Sequence, residues 1–227
     1  MKKLPLAVSS NKKRSIIIGV LGTAFILGMG IVALKWWTAA QNPTAIASVG
    51  GEVLTLPIPE APAALVLGKY PYYLQADPAW ANMCVGNSGE TMSAVGCTLT
   101  SISMGLSGLG HPLTPGEVNA KLTQNGGFTK NGYVIWGKVA TLTEGAIEVV
   151  TVDNSYARFD RELAANRPVI VKVLLGGIVQ HWVLVVGKEG REYIALDPLN
   201  KAKQPVPLSS VSSKIYAMRV FKMRKSG

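Results

Sequence analysis

The chain is 227 residues long, 48% hydrophobic, and carries a formal net charge of +10 at neutral pH. That is room for one globular domain with accessory segments, and it is too apolar for a disordered chain. Its two cysteines, with no CxxC or clustered His/Cys spacing, exclude a disulfide-dense scaffold and a zinc-type metal site, and no cofactor is expected.

The charge is unevenly placed. Six of the 23 Lys and Arg lie in residues 1–40, which hold no acid, while the other 17 face 13 Asp and Glu. The remainder is an ordinary solvated surface, and no nucleic-acid partner is expected.

Ser15 to Leu34 is a run of 20 uncharged, apolar residues. As a helix rising about 1.5 Å per residue it spans about 30 Å, the hydrocarbon thickness of a bilayer. Lys2, Lys3, Lys12, Lys13 and Arg14 precede it, and Lys35, Trp36 and Trp37 follow. Basic residues favour the cytoplasmic side and Trp the interface. The expectation is a basic cytoplasmic tail over 1–14, a single-pass lipid-bilayer anchor over 15–37, and the rest outside the cytoplasm at the cell membrane. A cleaved signal peptide competes, since Ala45-Ile46-Ala47 resembles a cleavage site. The apolar run is, however, longer than a signal core of roughly 7–15 residues.

Residues 38–68 read as a stalk, broken by Pro43, Pro57, Pro59 and Pro62, with Glu52 to Leu56 a candidate edge strand. A compact domain is expected over 69–227. Leu99, Ile102, Ser103, Leu106 and Leu109 recur at helical spacing, which predicts a helix over 97–109 ended by Gly108 and Gly110. Thr114-Pro115-Gly116-Glu117 opens a second helix, with Thr114 as cap and Glu117 three residues on. It is stopped by Asn125-Gly126-Gly127, and a third helical stretch covers 136–142.

After Glu144 the character changes. Strands are predicted over 146–152, 169–175, 182–186 and 193–196, with a short helix over 160–165. Helices first and strands after is an α+β pattern. Lys214, Arg219, Lys222, Arg224 and Lys225 read as a solubilising tail.

The spacing of the last two strands carries chemistry. A three-residue loop at Lys188-Glu189-Gly190 sets Gly187 opposite Arg191, and counting back sets His181 opposite Asp197. Directly opposed residues share a sheet face with Cβ atoms about 4.5–5.5 Å apart. A carboxylate there fixes the imidazole tautomer and stabilises its charged form. A purely structural His–Asp pair has the same spacing. His111, between Gly110 and Pro112, reads as an exposed loop residue.

Cys97 follows Gly96 and opens a helix, where free N–H groups and partial positive charge lower a thiol's pKa. A buried core cysteine, or a disulfide with Cys84, are the other readings of this residue.

Several stretches together resemble the peptidase C39-like family of papain-like folds. They are Tyr73-Leu74-Gln75-Ala76-Asp77-Pro78-Ala79-Trp80, Val95 to Met104 around Cys97, Asn125-Gly126-Gly127 before Trp136, Arg167-Pro168-Val169-Ile170-Val171, His181 to Gly187, and Asp197-Pro198. The resemblance covers about residues 70–200. It implies a papain-like cysteine peptidase fold acting on a peptide or protein substrate. It further implies that Cys97 attacks, His181 is base and then acid, Asp197 orients His181, and Gln75 with the Cys97 N–H holds the oxyanion. Thr98-Leu99 departs from the Gly-Pro or small residue that often follows the family's Cys. Gly50-Gly51 resembles the double-glycine site cut by its exporter members. The competing expectation is a catalytically silent binding or structural module of a membrane-associated assembly.

Overall fold

The structure is a computed structural model that describes residues 52–58, 65–66 and 70–224; for 65–66 it describes the backbone alone. The expected cytoplasmic tail, the anchor over 15–37, the first part of the stalk and Gly50-Gly51 lie outside the described residues. Among the described residues no helix is long and apolar enough to cross a membrane.

The expected order of helices before strands is what the chain forms. Strand β1 (Leu54–Thr55) and strand β2 (Leu65–Val66) come first, then helices α1 (Met92–Val95), α2 (Cys97–Gly108) and α3 (Pro115–Gln124), and a 3-10 helix over Trp136–Thr143. Strand β3 (Ile147–Val152) and helix α4 (Tyr156–Ala164) lead into β4 (Val169–Leu175), β5 (Val179–Glu189) and β6 (Glu192–Leu196). Strand β7 (Val206–Pro207), β8 (Lys214–Ile215) and β9 (Ala217–Met223) close the chain. The main sheet runs β3-β9-β4-β5-β6-β7, with β2 added to β5, and every pairing in it is antiparallel.

Residues 52–58 are no free stalk. Leu54, Leu56 and Ile58 alternate with exposed neighbours and are buried in the core, and β1 pairs with β8. Period-two burial is what a strand with one covered face requires.

Helix α2 is buried on every side from Leu99 to Leu106. A fully buried helix must satisfy its polar side chains internally. Thr100 Oγ1 donates to Gly96 O at 3.0 Å, Ser101 Oγ to Trp182 O at 3.1 Å, and Ser103 Oγ to Leu113 O. Gly108 is the last residue of the helix, Leu109 caps it, and the left-handed Gly110 (φ +92°) follows, close to the expected stop. Helix α3 begins as its sequence predicts: Glu117 N–H donates to Thr114 Oγ1 at 3.3 Å and Thr114 N–H to Glu117 Oε2 at 2.7 Å.

Three sequence expectations are corrected. The short helix begins at Tyr156, not residue 160, because Ser155 Oγ caps it by accepting from Arg158 N–H at 3.1 Å. Most of the basic tail is sheet: Lys214 lies in β8, and Arg219 and Lys222 lie in β9, which pairs on one side with β3 and on the other with β4. In β9, Met218, Val220 and Phe221 are buried between the charges that suggested a solvated end. The β5–β6 hairpin turns through two residues, Gly190 (φ +54°) and Arg191, since Glu189 pairs with Glu192. Gly at the first central position suits a primed two-residue turn, whose twist matches that of the strands.

Candidate active site

The corrected hairpin still carries His181 and Asp197 to one place. Next to the turn, pairs such as Lys188–Tyr193 lie three positions from the expected register. An irregularity between Val185 and Gly187 absorbs one residue, so Val185 faces Ala195 and Leu184 faces Leu196. The remaining offset is two, an even number, and side chains alternate with period two. His181 and Asp197 therefore keep the same parity, as diagonal rather than opposed neighbours. Pairing with β6 ends at Leu196, so Asp197 leaves the strand and bends to the ring. His181 Nε2 and Asp197 Oδ1 are 2.7 Å apart, with His181 only 2% exposed.

Asp197 is held from three directions. Its Oδ1 also accepts from Leu199 N–H at 2.8 Å. The Tyr72 hydroxyl donates to Asp197 O at 2.9 Å and accepts from Asp197 N–H at 3.0 Å. Tyr72 was not singled out in the sequence; one tyrosine among seven gives no signal that it clamps a backbone 125 residues away.

Because β6 stops at Leu196, the edge of β5 beyond Leu184 is left open, while β4 covers the other edge through Lys172–Trp182. The first turns of α2 occupy the open edge. The Trp182 C=O accepts from Ser101 Oγ at 3.1 Å, and the Trp182 backbone N–H acts on the Cys97 thiol to lower its pKa. Residues 97 and 101 are four apart and lie on one helix face, so a single face meets both backbone groups. This docking sets Cys97, the first residue of α2, against His181.

The electrostatics follow from that contact. Burial pushes the Cys97 thiol up, but the hydrogen bond and charge of His181, the Trp182 N–H and the Thr98 side chain outweigh it, and the net is a lowered pKa. Thr98, the departure from the family pattern, thus adds to the lowering of the thiol's pKa. Burial alone would lower the His181 pKa, yet Asp197 and Cys97 together raise it to about 9. With Nε2 engaged by Asp197, Nδ1 is the nitrogen left for the thiol. A thiolate beside an imidazolium is the favoured state of such a pair at neutral pH.

Gln75 is buried and joins the two sides of the site. Its backbone N–H donates to Pro198 O at 3.1 Å, next to Asp197, and its Nε2 donates to Ser93 O at 2.8 Å, four residues before Cys97. Gln75 Oε1 is buried without a partner among the described residues. The segment is pinned by Trp80 Nε1, which donates to Leu74 O at 2.9 Å.

Cys84 and Cys97 are both free thiols, Cys84 exposed and Cys97 buried. Cys84 lies in a loop pinned by Asn119, whose Nδ2 donates to Cys84 O at 2.8 Å and whose Oδ1 accepts from Gly86 N–H at 3.1 Å. His111 sits in the loop after α2, apart from the His181–Asp197 pair. Among the described residues no group of three or more His, Cys, Asp or Glu is placed to hold a metal.

The sequence profile of the Peptidase_C39 like family matches residues 68–222. No curated protein matches the sequence. Among solved structures, a protein assigned as a C39-like peptidase from Bacillus anthracis aligns with a TM-score of 0.49 at 15% identity, over 73% of this chain and 100% of that one. The peptidase domain of Streptococcus ComA, a bi-functional ABC transporter involved in a quorum sensing pathway, aligns with a TM-score of 0.43 at 21% identity. That alignment covers 57% of this chain and 91% of that one.

Proposed function

We propose that this chain, which belongs to the Peptidase_C39 like family, is a membrane-anchored cysteine peptidase that cleaves a peptide or related amide bond through Cys97, His181 and Asp197. The observation that carries the reading is the His181–Asp197 pair: Asp197 Oδ1 holds His181 Nε2 at 2.7 Å, and His181 is among the groups that lower the pKa of the Cys97 thiol. A nucleophile bonded to a base that is oriented by a third group is the arrangement covalent catalysis needs.

In this reading the Cys97 thiolate attacks the scissile carbonyl, and the carbonyl π-electrons move onto oxygen. The Cys97 N–H, unpaired at the start of α2, and a Gln75 Nε2 proton stabilise that oxyanion. The imidazolium gives its proton to the departing amine as the carbon–nitrogen bond breaks. The neutral ring then takes a proton from water, which displaces the thiolate and releases the acid. Asp197 keeps the ring in place and stabilises its charge throughout.

Gln75 Nε2 has two protons and gives one to Ser93 O, so a second remains for the oxyanion. The same bond to Ser93 favours the competing reading, a silent binding module, if the amide stays locked there. Incubating the protein with a mixed peptide library and sequencing the products by mass spectrometry separates the two. Cleavage by the native chain and none by Cys97→Ser supports the peptidase; identical product lists for both contradict it. The anchor over 15–37 belongs to this proposal. A reporter fused after Gly227 should be active only outside the cytoplasm, and activity inside the cytoplasm would overturn that placement.

A further inference from the structure

A second group of residues starts at Trp182, next to His181 in the chain but on the opposite face of the sheet, and takes no part in the His181–Asp197 pair. Lys172 on β4 pairs with Trp182 on one side and Ala217 on the other, while Ile170 pairs with Arg219. Paired residues share a sheet face, and so do residues two apart on one strand. Trp182, Lys172 and Arg219 therefore stand on the same face of three adjacent strands. Trp136, first residue of the 3-10 helix, covers them from above. The Arg219 guanidinium lies 5.0 Å from the Trp136 ring centre and 5.2 Å from that of Trp182, and the two rings are 5.0 Å apart.

The charge of this group is unbalanced. Lys172 is only 7% exposed, and neither it nor Arg219 has a carboxylate within ion-pair distance among the described residues. Arg219 gives one N–H to Met218 O at 2.8 Å, but its Nε is buried with no partner. Each cation depresses its own protonation by burial, and Arg219 adds its charge against Lys172. Two neighbouring cations taken out of water without an anion are costly to the fold, and such a cost is kept where a ligand relieves it. A guanidinium stacked on indole faces keeps its N–H edge free for a planar anion. The position relative to the nucleophile is set by Trp182, whose side chain flanks Arg219 and whose backbone C=O accepts from Ser101 Oγ at 3.1 Å, one turn into the helix that Cys97 opens.

We propose that Lys172, Arg219, Trp136 and Trp182 form a subsite for a carboxylate carried by the peptide substrate, so that this peptidase selects an acidic group near the scissile bond. The proposal rests on the peptidase reading for the word substrate, but its test does not require turnover. Three thiol reagents are compared: iodoacetyl-glutamate with its α-carboxyl amidated, iodoacetyl-glutamine with a free α-carboxylate, and iodoacetyl-glutamine amide, which is neutral. Rates of alkylation at Cys97 and at the exposed Cys84 are read by peptide mass spectrometry on the full chain. The same rates are measured for Lys172→Met and Arg219→Met, and each acidic-to-neutral ratio is internal to its variant, so changes in thiol reactivity cancel.

The expected result is a ratio at Cys97 on the order of tenfold for one of the two acidic reagents, the low end for a hydrogen bond to a charged group. That ratio falls towards the Cys84 ratio in both variants, and the reagent that shows it tells whether a side-chain or a terminal carboxylate is bound. Equal rates for all three reagents at Cys97, or a preference that survives both substitutions, overturn the subsite. The absolute rate with iodoacetamide at neutral pH reports separately on the peptidase reading: a sluggish Cys97 with an intact acidic preference removes the catalysis and leaves the subsite.

Discussion

The His181 ring is charged well above the range of a free imidazole, because the Asp197 carboxylate and the Cys97 sulfur together exceed the penalty of burial. Since the folded value, about 9, lies above the ordinary 6.5, the pair's contribution to stability is complete below the ordinary value and is lost as the pH rises through about 9. The same titration removes the acid that protonates the leaving amine. We therefore expect kcat/KM to fall on the alkaline side with a limb at about 9. Asp197→Asn keeps a carbonyl acceptor for Nε2–H but removes the charge, so the limb should move to lower pH. Cys97→Ser should cost on the order of 10⁴-fold or more in kcat, far above Asp197→Asn. An unmoved alkaline limb in Asp197→Asn, followed over pH 6–10, would show that the carboxylate does not set the ring's charge. The contact between His181 and Asp197 was legible in the sequence because strand spacing sets both on one face, whereas the roles given to Cys97 and Gln75 came from the resemblance. Tyr72, Ser101 and Lys172 were not legible, because their roles depend on backbone groups or neighbours far along the chain.

At the level of elements, the site depends on α2 lying against the sheet at a fixed depth. Gly105 makes this possible: a Cβ added there would stand 2.2 Å from Phe221 Cζ on β9. Gly105→Ala should push the helix off the sheet or force Phe221 from its rotamer, at about 1–3 kcal/mol of stability. Trimming the ring should restore much of the loss, so the double variant Gly105→Ala/Phe221→Leu should be more stable in urea than Gly105→Ala alone. If the ring change only adds to the damage, the close approach is not what limits the helix. The hairpin shows how far element reasoning reaches. Turn chemistry around Gly190 admits either a two- or a three-residue loop, and nothing in the sequence marks the irregularity between Val185 and Gly187. On the far side of that irregularity, towards His181 and Asp197, the expected neighbours were nonetheless right in parity, because an offset of two leaves every side chain on its face, whereas the odd offset of three next to the turn does not.

For the whole molecule, β9 decides what is domain and what is tail. It separates β3 from β4, so the sheet closes only when the end of the chain is in place. Its charges hid this: Arg219, Lys222 and Arg224 interrupt the apolar residues, and the burial of Arg219 between two indoles is visible only in three dimensions. Ending the chain at Ser213 should abolish cooperative unfolding by circular dichroism, since β3 and β4 lose their shared partner. A truncated chain that melts like the full one would mean that β9 is an accessory strand. The same reasoning explains why residues 52–58 looked like linker. Pro57, Pro59 and Pro62 break the segment just after the candidate edge strand, while the burial of Leu54, Leu56 and Ile58 follows from partners such as β8 near the other end of the chain.

The central claim is that Cys97 is a thiolate held by His181, and the pH dependence of its alkylation tests this most directly. The full chain is treated with iodoacetamide from pH 4 to 10, and the rate at Cys97 is read by mass spectrometry. The account predicts reaction that is already fast at neutral pH and rises through a point well below the ordinary thiol value of about 8.5, with His181→Ala moving that rise upward. A Cys97 rate that rises only at or above about 8.5, and that His181→Ala leaves unchanged, would contradict it.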